Sequence, residues 1–69
     1  MERSGWTFRT TNASGRQRIW RVAEPELERA EALVKTVVTD AVRVECLGEM
    51  SFDAMQAAGL VPGEIKEWT

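Results

Sequence analysis

Two alternating apolar segments flank the tetrapeptide Asn12-Ala13-Ser14-Gly15, and this pattern does most to limit what the chain can fold into. Trp6 and Phe8 alternate with Thr7 and Arg9 on one side. Trp20 and Val22 alternate with Ile19 and Arg21 on the other. Alternation with period two places Trp6, Phe8, Trp20 and Val22 on one face of a two-stranded ribbon. Asn and Gly tolerate positive φ, and Asn or Ser side chains bond to nearby backbone, so the tetrapeptide reads as a hairpin turn. Residues 6–23 are therefore expected to form a β-hairpin. A hairpin alone is marginal in water, and its apolar face needs a cover.

The next segment supplies one. Leu27, Ala30, Val34, Val37 and Val38 recur at helical spacing within residues 25–39, with Leu33 beside the stripe. Pro25 suits a first helical position. Glu26 and Glu28 complement the positive end of the helix dipole. Glu31 and Lys35 form an i,i+4 pair. Val42-Arg43-Val44-Glu45-Cys46-Leu47 then alternates again, which predicts a third strand over 42–47 that ends at Gly48. Ser51 is a good N-cap for a short helix over 52–58, closed by Gly59 in the left-handed position with Leu60 beside it. Val61-Pro62-Gly63-Glu64 reads as a turn.

The expected fold class is α+β, a single small domain over residues 1–69. The order is hairpin, helix, strand, short helix (ββαβα), with a three-stranded, mostly antiparallel sheet and both helices on one face. A right-handed crossover places the third strand beside the first, giving order 2-1-3, or alternatively beside and parallel to the second. The core then consists of Trp6, Phe8, Trp20, Val22, Val42, Val44 and Cys46 beneath the Leu27–Val38 stripe. Sixty-nine residues leave no room for a second domain, and 43% apolar with 29% charged residues matches a globular chain.

The chain contains no histidine and one cysteine. An internal disulfide is impossible, and a serine nucleophile would lack its usual base. Cys46 falls mid-strand on the apolar face and reads as a small buried residue. Zinc or copper would have to rely on carboxylates, and Glu45, Glu49 and Asp53 are separated by a strand end and a turn. Gly48, Gly59 and Gly63 match no phosphate-binding motif. No catalytic residue, metal, cofactor or small-molecule substrate is expected. The N-terminus lacks an apolar export segment and no run approaches the ~20 residues that span a bilayer, so a cytoplasmic protein with no membrane partner is expected.

Charge is distributed unevenly. Residues 1–22 carry five arginines against Glu2; residues 23–69 carry four basic residues against ten acids. The hairpin arginines could meet phosphate or an acidic partner, while the acidic balance of the whole chain, −2, speaks against a dedicated nucleic-acid domain.

Residues 51–68, SFDAMQAAGLVPGEIKEW, resemble a helix-turn-helix, with Ala58-Gly59-Leu60 as its turn and Ile65 and Trp68 as anchors of a second helix. The resemblance implies a recognition helix. That helix would expose Gly63, Glu64, Lys66 and Glu67, net negative, and Met55 replaces the family's usual inward alanine.

The function expected from these residues is a non-enzymatic protein-interaction module. Its surface would be the outer sheet face, Arg9, Ile19, Arg21, Arg43 and Leu47, together with Trp68. The partner would be another protein or a second copy of the chain. The alternative is nucleic-acid binding through the basic hairpin or the degenerate helix-turn-helix.

Overall fold

The computed structural model describes residues 3–68. Strand β1 (Arg3–Asn12) and strand β2 (Gln17–Val22) form the expected hairpin. Trp6 lies opposite Val22 and Phe8 opposite Trp20. Asn12 closes the loop: its Oδ1 accepts from the Ser14 and Arg16 amides and from the Ser14 hydroxyl. Gly15 takes φ 87°, which an L side chain rarely adopts.

Helix α1 (Leu27–Val37) follows, shorter at both ends than the expected span 25–39. Pro25 stands before the helix, and its carbonyl accepts the Trp6 indole N–H at 3.2 Å. The chain then enters β3 (Ala41–Ser51), α2 (Phe52–Ala57) and β4 (Ile65–Trp68). The result is an α+β fold built on a four-stranded antiparallel sheet of order β3-β1-β2-β4. The third strand does lie beside the first.

Three sequence expectations are corrected. The sheet has four strands, because Ile65–Trp68 pairs with β2 and is not a helical turn. The helix-turn-helix resemblance fails for the same reason, since the segment that should form its second helix is a strand. The helices also do not share a face. Trp6, Phe8, Trp20 and Val22 pack with Ala30, Val34 and Val38 of α1. Ala23, Met50, Met55 and Leu60 form a separate cluster under α2. Ala23 follows Val22, and Gly5 (which faces Met50) precedes Trp6, so strand alternation puts this second cluster on the opposite side of the sheet. At Gly5 a methyl group would collide with the Val22 carbonyl oxygen and press on Met50.

Local signals around α2 hold. Ser51 Oγ accepts from the Ala54 amide. Gly59, φ 71°, donates to the Gln56 carbonyl and Leu60 donates to that of Met55, the paired bonds of a Schellman motif. Gly63, φ 85°, completes a turn in which the Glu64 amide bonds to the Val61 carbonyl.

The third strand departs most from its expected role. It runs on past Gly48, and three irregularities interrupt its register with β1. Leu47 falls at one, Val42 at another, and the third lies between Arg3 and Gly5 of β1. Val44 still packs on the core, but Val42 is 70% exposed and Cys46 is exposed. Extra residues bend an edge strand locally, and α1, which packs on β3 as well as on β1 and β2, covers Val44 but leaves Val42 and Cys46 exposed.

Candidate functional site

The pairing registers assemble the outer sheet face into lateral rows. Arg43, Thr11 and Gln17 form one. Glu45, Arg9, Ile19 and Trp68 form the next, spanning all four strands. Thr7, Arg21 and Lys66 form the third. The α2 cluster covers the face beyond that row. Five of the six residues expected to make an interaction surface, Arg9, Ile19, Arg21, Arg43 and Trp68, therefore share one face. Leu47 does not join a row: it sits at the register shift in β3, 49% exposed.

Two contacts shape the middle of this face. The Arg9 guanidinium bonds both oxygens of Glu45 at 3.1–3.3 Å. These hydrogen bonds hold the Glu45 carboxyl below the ordinary carboxylate range, and the fields of Arg9 and Arg43 act in the same direction. The Arg21 guanidinium carbon lies 3.8 Å from the centroid of the Trp68 ring. Trp68 remains 54% exposed and stands directly opposite Ile19. Face stacking of this kind joins a cation to an aromatic quadrupole and leaves the guanidinium edge free to bond.

No family model, curated protein or solved structure matches this chain.

The sequence reading missed Lys66. It stands directly opposite Arg21, an arrangement of like charges that normally destabilises a sheet. Each side chain turns to a different neighbour. Arg21 stacks on Trp68, while Lys66 Nζ reaches the Gly59 carbonyl at 3.3 Å and lies 3.7 Å from Glu64. The alternation of Ile65-Lys66-Glu67-Trp68 carried the signal, but only if the segment is read as a strand. The three rows hold four cations, Arg9, Arg21, Arg43 and Lys66, and one carboxylate, Glu45.

The opposite face uses its charges within the chain. Arg18 grips Glu67 at 2.7–3.0 Å and lies 4.6 Å from the Trp20 ring. That pairing raises the Arg18 pKa and lowers that of Glu67. A cavity of about 310 Å3 opens on this side between the end of α1 and β3, bordered by Lys35, Val38, Val42 and Val44. Among the described residues no group of three or more Cys, Asp or Glu could hold a metal ion, and no helix is long and apolar enough to cross a membrane.

Proposed function

We propose that the chain is a non-enzymatic protein-interaction module whose docking face is the outer sheet surface centred on Ile19, Arg21, Lys66 and Trp68. The single observation that carries this reading is the row pairing. Two cations stand opposite each other beside a half-buried Ile19 paired with an exposed Trp68. A carboxylate set between Arg21 and Lys66 would relieve their repulsion, and an apolar side chain would cover Ile19 and Trp68. The fitting partner is therefore an acidic protein segment that alternates carboxylates with apolar residues. Tryptophan and arginine are the residue types that most often carry binding energy at such centres. An exposed free thiol at Cys46 fits a reducing compartment such as the cytoplasm.

Nucleic acid is the second reading, since an arginine stacked on an exposed tryptophan also resembles a base-stacking platform. Two of the hairpin arginines argue against it. Arg9 and Arg18 are already engaged by Glu45 and Glu67, which reduces the charge available to phosphates.

The test is a fluorescence titration with two probes, an acidic peptide of alternating Glu and Leu and a single-stranded oligonucleotide, each at low and moderate salt. The proposal expects saturable peptide binding that Ile19→Ala/Arg21→Ala weakens at least about tenfold. Saturable, steeply salt-dependent binding of the oligonucleotide alone would transfer the face to the second reading.

A further inference from the structure

The free edge of β3 carries a self-complementary pattern. The Asn12 amide donates to the Arg16 carbonyl, which turns the Asn12 N–H toward β2. Along the regular β1–β2 register, Thr10 and Phe8 are then also hydrogen-bonded to β2. The intervening Arg9 and Thr11 direct their backbone groups at β3, where Glu45 and Arg43 lie opposite them. Val44, between those two, must point its N–H and C=O away from β1. Among the described residues no strand pairs with the edge beyond it, because β3 is an outermost strand.

An antiparallel partner adding here must pair with the outward groups of Val42, Val44 and Cys46, which restricts the registers. With a second copy of this chain, one register sets Arg43 opposite Arg43 and another sets Glu45 opposite Glu45. Each is disfavoured by like charges. The register between them sets Val44 opposite Val44, Arg43 opposite Glu45 and Val42 opposite Cys46. It joins both charged pairs on the outer face and covers Val42 and Cys46, the two intended core residues that a single chain leaves exposed. It also brings apolar side chains of the second copy alongside the open cavity that Val42 and Val44 border. The flanking register shifts confine regular pairing to this window, since bulged edges resist further strand addition.

The geometry points to a symmetric homodimer formed by antiparallel β3–β3 addition centred on Val44, with Arg43 of each copy opposite Glu45 of the other. This goes beyond the docking face proposed above and does not depend on it. The two outer faces would join into one eight-stranded surface.

The test is sedimentation velocity on the full chain from about 10 µM to about 1 mM, a window suited to a weak pairing of this size. The expected result is concentration-dependent dimerisation. Arg43→Glu should weaken it at least about tenfold by setting like charges opposite at both symmetry-related positions, and Arg43→Glu/Glu45→Arg, combined with Arg9→Glu to keep the in-chain pair of opposite sign, should restore it. Val44→Pro should abolish it, because the lost N–H serves only the free edge, with folding checked by circular dichroism. If Val44→Pro does not fold, the charge-swap pair decides alone. A monomer throughout the range overturns the proposal. So does a dimer that is indifferent to Arg43→Glu, or one that dissolves only when Trp68 is replaced.

Discussion

Arg21 stacks on Trp68 across the β2–β4 pair, one row removed from its own cross-strand neighbour Lys66. The contact joins the hairpin to the last strand on a face that α1 does not touch. It explains how two directly opposed cations are accommodated and why an aromatic side chain remains exposed. Stability and binding should respond to it very differently.

Trp68→Ala should lower stability by only about 0.5–1 kcal/mol, the range for an exposed cation–aromatic pair. It should weaken acidic-peptide binding far more. Urea unfolding followed through the remaining tryptophans, compared with the titration above, separates the two effects. Equal losses in both would mean that Trp68 is chiefly structural.

Thr10→Val should be among the most costly near-isosteric changes. Thr10 is almost fully buried, and its hydroxyl accepts the Trp20 indole N–H at 3.0 Å. The substitution keeps the shape but leaves a buried donor unpaired, at about 1–3 kcal/mol. A midpoint shift in urea without a change in slope is the expected result.

Acid should destabilise the fold through two carboxylates. Arg9 and Arg18, by hydrogen bonding first and by charge second, lower the pKa values of Glu45 and Glu67 in the folded chain. Their contribution is complete above the unfolded glutamate range and is lost as the pH falls through the lower, folded values. Glu67→Gln should therefore flatten the acid limb of a melting-temperature profile. About a third of each side chain is exposed, so added salt should reduce the effect.

Gly59→Ala should cost about 1 kcal/mol, because φ 71° is strained for any side chain, although space is available there. Gly5→Ala should cost more, because its new methyl group meets the Val22 carbonyl. Thermal melts of both variants should rank them in that order.

The hairpin, the α2 caps and the shared face of Arg9, Ile19 and Arg21 were legible because each rests on local chemistry. Trp6, Phe8, Trp20 and Val22 alternate without interruption, and Ser51 and Gly59 mark the ends of a single short helix. The fourth strand was not legible. Ile65-Lys66-Glu67-Trp68 is four residues long, and an apolar pair three apart fits a helical turn as well as a strand until β2 supplies a partner. Nor were the irregularities at Val42 and Leu47, because an extra residue in β3 is defined only against β1. Val42 falls at one of them, whereas Cys46 keeps its register opposite Phe8 and is exposed on the edge strand. The second apolar cluster was hidden similarly: Gly5, Ala23 and Met50 are adjacent only across three strands.

The most direct test of the docking face is amide chemical-shift mapping of the full chain titrated with the alternating Glu/Leu peptide. The account predicts saturable shifts at Ile19, Arg21, Lys66 and Trp68, with the Trp68 indole among the largest and α1 unmoved. Shifts confined to α1 or to the α1–β3 cavity, or none at the highest peptide concentration, would contradict it.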